Sequence, residues 1–282
     1  MRFFFLAKRF VAGETIVKAL DAVRELNDDG LTATLDFLGE DVTSLAEAEH
    51  TRDTYLEMLA AIERSGLKTN VSVKLTALGL LVDEGTCADF LGAIVDRASS
   101  LDDPFVRVDM EGSAVTDATL RVFESVFARR NNVGPVIQAY LKRSPDDVER
   151  TIALGARVRL CKGAYSEPET IAIPDMPSIR KAYLRLAEAL LSRGTYPGIA
   201  THDDRIVDAV KAYAAEHGLA KERFEFQLLY GVRPDLQRAL AADGYNVRVY
   251  VPFGTHWAGY FYRRITERKE NVLFALRSLF QR

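Results

Sequence analysis

The strongest constraint on the fold of this chain is a couplet, a short run of strand formers followed by a helical run, that returns eight times with no linker between repeats. The strand-like runs are LTATLDFLG from Leu31, NVSVKLTALG from Asn70, FVRVDMEG from Phe105, VGPVIQAYL from Val133, RVRLCKGAY from Arg157, GIATHD from Gly198, FEFQLLYG from Phe224 and NVRVYVPFG from Asn246. Helical punctuation separates them. Ser44 and Glu47 have capping-box spacing, Ser144-Pro145-Asp146-Asp147 reads as a helix start capped by Ser144, and Gly194 stops a run whose Ile179, Tyr183, Leu186 and Leu190 share a face. Further helices are expected over residues 87–98 and 117–129. Another, over 14–27, precedes the first strand and ends at Asp28-Asp29-Gly30. Eight such couplets predict an α/β fold, a closed (βα)8 TIM-type barrel, and no G-x-G-x-x-G or Walker loop argues for an open sheet. The 282 residues suit one domain, with residues 1–30 as an N-terminal helical arm and 31–282 as the barrel.

Alternation divides each strand into two faces. Val71, Val73 and Leu75 oppose Ser72, Lys74 and Thr76; Val106 and Val108 oppose Arg107, Asp109 and Glu111; Val158 and Leu160 oppose Arg157, Arg159 and Cys161. Glu225 and Gln227, then Arg248 and Tyr250, extend the polar face. The apolar faces suit the helix ring, so the polar ones should line the barrel, where an unpaired charge costs several kcal/mol. Such a set implies a site at the C-terminal strand ends, where Lys74, Asp109, Gln138, Arg159, Lys162 and His202 fall.

The last strand runs into YVPFGTHWAGYFYRRITERKEN, in which Arg263 and Arg264 precede Glu267. Two readings stand for the arginines: a pair flanking one bound anion, or a solvated face on which Arg263 pairs with Glu267. Lys74, Arg159, Lys162, Arg263 and Arg264 outnumber Asp109 and Glu267, which favours an anionic ligand.

Several classes are disfavoured. A net charge of −3 leaves no basic footprint for nucleic acid. Cys87 and Cys161 form no CxxC and fit a reducing cytoplasm, and the four histidines show no metal-ligand spacing. The start MRFFFLAKRF is too short in apolar residues for a signal peptide, and no run approaches a membrane span. The Phe-rich start and the amphipathic end around Val272, Phe274, Leu276 and Phe280 leave peripheral contact open. Without a GxSxG elbow, a redox cofactor or a Schiff-base lysine remains, the latter pointing to a lyase or aldolase using Lys74 or Lys162.

Taken together, RFVAGET, NVSVKLTALGL, VRVDMEG, VIQAYLKRS, VRLCKGAY, ATHD, FEFQLLYGVR, VRVYVPFG and RRITER resemble the proline dehydrogenases, specifically their short monofunctional bacterial type. The resemblance covers nearly the whole chain. It implies a distorted barrel binding a flavin, FAD rather than FMN, with the C-terminal helix closing over the active site. The implied activity is oxidation of L-proline to Δ1-pyrroline-5-carboxylate, with a membrane quinone as acceptor and contact at the inner face of the cell membrane. Arg263 and Arg264 match the pair that binds the proline carboxylate, with Lys74 a third basic partner and Asp109 and Glu267 holding these cations. Tyr250 matches the tyrosine against the proline ring, and Leu229 and Tyr165 complete the pocket. Flavin contacts fall on Met110, Gln138, Arg159, Cys161, Lys162, Gly163, Thr201 and His202, with Arg159 and Asp109 closest to the chemistry. Cys161 departs from the commoner Val, and Gly112 from a frequent Asp.

Overall fold

A computed structural model describes residues 9–258 of the chain. Strands β1 (Thr32–Phe37), β2 (Thr69–Val73), β3 (Val106–Val108), β4 (Val133–Gln138), β5 (Arg159–Cys161), β6 (Gly198–Ala200), β7 (Glu225–Leu229) and β8 (Asn246–Phe253) pair in parallel in sequence order, and β8 closes on β1. The seam from Thr32↔Arg248 to Phe37↔Phe253 fixes which residues of the first and last strands sit side by side.

Helix α1 (Ile16–Asp28) precedes the barrel, capped by Thr15. The crossovers are α2 (Leu45–Ser65), α3 (Glu84–Ala98), α4 (Ser113–Phe127), α5 (Ser144–Leu154), α6 (Met176–Arg193), α7 (Asp204–Glu216) and α8 (Pro234–Ala242). The expected capping box opens α2, where Glu47 N–H donates to Ser44 and the Glu47 carboxylate accepts from Ser44 N–H. Gly66 ends that helix in the left-handed conformation. The apolar strand faces, Val71, Val73, Val106, Val108, Val158 and Leu160, are buried in one continuous cluster with Leu91, Ile94, Phe123, Tyr183 and Leu190 of the crossover helices. Truncating one such side chain, for example Leu91→Ala, is expected to cost about 2–5 kcal/mol.

Three local expectations change. Several strands are shorter than their alternating sequence: after Val73 the chain turns through a 3-10 segment (Thr76–Leu78), because Ala77 and Leu78 N–H groups donate back to the Lys74 and Leu75 carbonyls. Helix α4 begins at Ser113, four residues before 117, because Glu167 accepts from the Ser113 N–H (2.7 Å) and from its hydroxyl. That cap arrives from a distant loop and has no local signature. Ser144 is the first residue of α5 and not its cap, since its hydroxyl donates to the Gln138 carbonyl.

Candidate active site

At the C-terminal strand ends five elements meet in one network built around a carboxylate. Asp109, directly after β3, accepts from Ser72 of β2 (2.6 Å), from Arg159 of β5 (2.7 Å) and from the Tyr250 hydroxyl of β8 (2.8 Å). Lys74 Nζ stands 3.9 Å away. The fifth element is β1, whose fully buried Asp36 takes Lys74 in a bidentate ion pair at 2.8 and 3.0 Å. Lys74 also donates to the Tyr250 hydroxyl at 3.4 Å. Arg159 lies 5.3 Å from the Tyr250 ring centroid and donates to Gln227, so its guanidinium is held on three sides.

The electrostatics follow from burial and pairing. Burial alone would drive the Lys74 pKa down, but Asp36 and then Asp109 outweigh it and hold the ammonium above the ordinary lysine value. Tyr55 of α2 clamps the same corner, donating to the Ser72 carbonyl (2.6 Å) while accepting from Phe37 N–H (3.2 Å), and burial keeps its phenol neutral. Beside it, Glu111 accepts from the Thr76 N–H (3.1 Å) and hydroxyl (2.6 Å), and burial pushes its pKa up to about 6.

The sequence model of the proline dehydrogenase family matches residues 19–277. The proline dehydrogenase of Deinococcus radiodurans is 41% identical over 281 residues, covering 97% of this chain and 90% of that protein. Proline dehydrogenase 1 of Bacillus subtilis (strain 168) is 40% identical, covering 98% of this chain and 91% of that one. The chain belongs to the proline dehydrogenase family. Among solved structures, proline utilization A from Bdellovibrio bacteriovorus, inactivated by N-propargylglycine, superposes with a TM-score of 0.87 at 27% identity. That likeness covers 95% of this chain and 33% of the larger protein, so this chain spans about a third of it.

Proline dehydrogenases are flavin-dependent, and the residues matched to flavin contacts take varied positions. Gln138, the last residue of β4, is committed to the loops: its amide N–H donates to the Glu111 carbonyl (2.9 Å) and its oxygen accepts from Ala164 N–H (3.2 Å). Met110 packs in the main apolar cluster, and Cys161 closes β5. Thr201 is buried after β6 and accepts from Asp203 N–H (3.1 Å), while His202 Nε2 accepts from Leu229 N–H (3.0 Å). Gly163 has φ +125°, and a Cβ there would meet the Tyr140 ring at 2.1 Å, so packing already demands glycine at this position. Lys162 and Arg180 converge on Asp203, at 2.6 and 3.0 Å, making a cationic edge beside β5 and β6 that fits a phosphate-bearing group. Together with Arg159 inside the barrel, this donor set fits a flavin nucleotide.

Of the substrate candidates, Leu229 and Tyr250 are register partners on β7 and β8, and Tyr165 lies against Gly112 across the mouth. Arg263, Arg264 and Glu267 lie outside the described residues. Two of the cations read from the sequence have carboxylate partners: Asp36 answers Lys74 and Asp109 answers Arg159. Asp36, and not Asp109, is the main holder of Lys74. Asp36, Ser72, Glu111 and Asp203 were not among the expected site residues. Asp36 alternates with Ala33, Leu35 and Phe37, but nothing local ties it to Lys74.

Proposed function

We propose that this chain oxidises L-proline to Δ1-pyrroline-5-carboxylate, the first step of proline catabolism, with FAD rather than FMN as cofactor and a membrane quinone as final acceptor. The observation that carries the reading is the convergence of Ser72, Arg159 and Tyr250 on Asp109, with the Lys74–Asp36 pair alongside, in a member of this family. Arg263 and Arg264 bind the substrate carboxylate, each charge-assisted bond contributing about 1.5–3 kcal/mol, and Glu267 orients them. Lys74 adds a third positive charge, and its pairing keeps it protonated. The Tyr250 ring, fixed by its hydroxyl on Asp109, forms the floor under the proline ring, with Leu229 and Tyr165 as walls. When bound, the flavin supplies the two-electron acceptor for the hydride leaving proline C5 toward its N5. Gln138, Lys162, Thr201 and His202 would hold the cofactor, and Arg159 would supply positive charge beside it. Proline reacts with its amine neutral, since hydride loss beside an ammonium is electronically poor. A kcat/KM that stays level toward acid pH would contradict that protonation state.

A Schiff-base lyase needs a neutral lysine, and the Asp36 pairing works against that at Lys74. The protein is taken to be cytoplasmic, and passage of electrons to a membrane quinone implies peripheral contact at the inner face of the cell membrane. Among the described residues no helix is long and apolar enough to cross a membrane. The deciding experiment is one absorbance spectrum of the purified protein before and after adding proline. A flavin band that bleaches is expected; a colourless protein, or a band indifferent to proline, refutes the proposal.

A further inference from the structure

The opposite mouth of the barrel, where the strands begin, holds an open pocket of about 460 Å³ lined in part by Lys68, Asp103, Arg157, Tyr196 and Arg248. The proline chemistry makes no use of it. Arg157 is the member whose bonding is incomplete. Its guanidinium lies 4.1 Å from the Phe105 ring centroid and 4.7 Å from that of Tyr196, so two aromatic faces fix the fork in place. Its Nε is buried with no hydrogen-bond partner among the described residues, and Asp103 stops 3.8 Å from Nη1, beyond hydrogen-bond reach. The Arg157 side chain nonetheless keeps 24% of its surface exposed and lines the pocket, so the Nη side of the fork is the part a ligand can reach.

The neighbouring acids are already engaged. Asp103 receives Arg248 Nη2 and Asn70 Nδ2, both at 2.8 Å, and Glu225 receives Arg248 Nε at 2.9 Å together with Gln227. Lys68, Arg157 and Arg248 line the pocket with Asp102 and Asp103, and the buried Arg107 and Glu225 lie close by. Burial, then Arg159 and Arg157, push the Arg107 pKa well below its ordinary value. An arginine does not give up its proton, so that stack carries a repulsion an anion would relieve.

We infer that this N-terminal mouth is a second ligand site, taking a small organic oxyanion whose carboxylate or phosphate group is gripped by the Arg157 fork, with Tyr196 as a wall and Lys68 at the rim. A planar fork matches either group in two parallel bonds. The pocket exceeds a bare ion, which leaves room for a small organic body. Arg157 stands at the other end of the barrel from Asp109, so the inference is independent of the proline reading.

The test uses the flavin-loaded protein and two probes, inorganic phosphate and acetate, at constant ionic strength. Phenylglyoxal modification mapped by mass spectrometry should show Arg157 protected by one probe or both, with exposed Arg238 modified at an unchanged rate. Whichever probe protects at the lower concentration names the oxyanion class. In calorimetric titration, Arg157→Met should weaken the preferred probe by about ten- to a hundredfold, and Arg157→Lys by less, since it keeps the charge without the fork. If Arg157→Met does not fold, the modification map on the unaltered chain decides alone. Equal modification of Arg157 with and without both probes, or a titration unmoved by Arg157→Met, overturns the inference.

Discussion

The two ends of this barrel use charge in different ways. At the C-terminal mouth the bonds run from side chain to side chain: Lys74 to Asp36, Arg159 and Tyr250 to Asp109, Ser72 to Asp109. At the N-terminal end the arginines staple backbone as well as pairing with carboxylates. Arg248 Nη1 donates to the Ala33 carbonyl across the β8–β1 seam (2.7 Å), and Arg107 Nη1 donates to the Pro135 carbonyl (3.1 Å) and to that of Arg157. Side-chain pairs can exchange partners when a ligand arrives. Arginine clamps on carbonyls cannot do so without opening the ladder. The comparison teaches that substitutions at the floor should cost stability and those at the mouth should cost turnover, with Gln227, which bonds both Arg159 and Glu225, as the bridge between them.

The largest expected effect breaks the floor. Glu225→Gln leaves Arg248 with a single carboxylate partner, Asp103, and removal of one member of a buried pair costs about 3–5 kcal/mol. Urea denaturation should show that loss as a lower midpoint, while kcat/KM for proline in the folded protein changes little. The pH dependence has a definite sign. Burial pushes the Glu225 carboxyl up, but Arg248 outweighs it and the net pKa is lowered. Its stability contribution is therefore present above the unfolded carboxylate pKa and disappears as pH falls through the lowered folded value, below about pH 4. A Glu225→Gln protein as stable as the parent at neutral pH would erase the distinction between the two ends.

Next in size is the mouth itself. Asp109→Asn retains shape but gives up the charge that receives Arg159, Tyr250 and Ser72. At about 1.5–3 kcal/mol per charged hydrogen bond, a loss on the order of 10- to 1000-fold in kcat/KM is expected, with a smaller shift in the urea midpoint. A large stability loss with normal turnover would reverse the assignment of the two ends.

The strand number, their order and the polar lining were legible because they rest on period-two alternation, a local property that the ladder then enforces. Lys74, Asp109, Arg159 and Tyr250 could be picked out for the same reason. The pairings could not. Asp36 and Lys74 are 38 residues apart, and only the β1–β2 register brings them together. Arg159 was legible as inward but not as the partner of Gln227, 68 residues away. The Glu167 cap of α4 and the replaced role of Ser144 escaped for the same reason, since each is decided by another loop and not by its neighbours in sequence.

A middle-sized effect sharpens the comparison within the mouth. Glu111 is buried and hydrogen-bonded to neutral Thr76 groups, and its pKa is raised from 4.5 to about 6. A raised acid favours the protonated form when folded, so stability falls as pH rises from 4.5 to about 6 and stays level above it. The window corresponds to about 2 kcal/mol. Urea midpoints of the parent and Glu111→Gln measured across that range should differ in slope, the variant lacking this fall. Parallel slopes would remove Glu111 from the set of groups that titrate with folding.

The smallest expected effect separates the hydroxyl of Tyr250 from its ring. Tyr250→Phe deletes the bond to Asp109 and the contact from Lys74, leaving the ring beside Leu229. Asp109 keeps Arg159 and Ser72, so the loss should be near one hydrogen bond to a charged group at the low end of its range, about 1.5 kcal/mol or roughly tenfold in kcat/KM. Tyr250→Ser removes the ring as well and opens space beside the substrate. If the ring crowds a hydroxylated substrate, the proline-to-hydroxyproline ratio of kcat/KM should fall in Tyr250→Ser and hold in Tyr250→Phe. An unchanged ratio in both would mean that Tyr250 acts through Asp109 alone, and that the aromatic face contributes anchoring without discrimination.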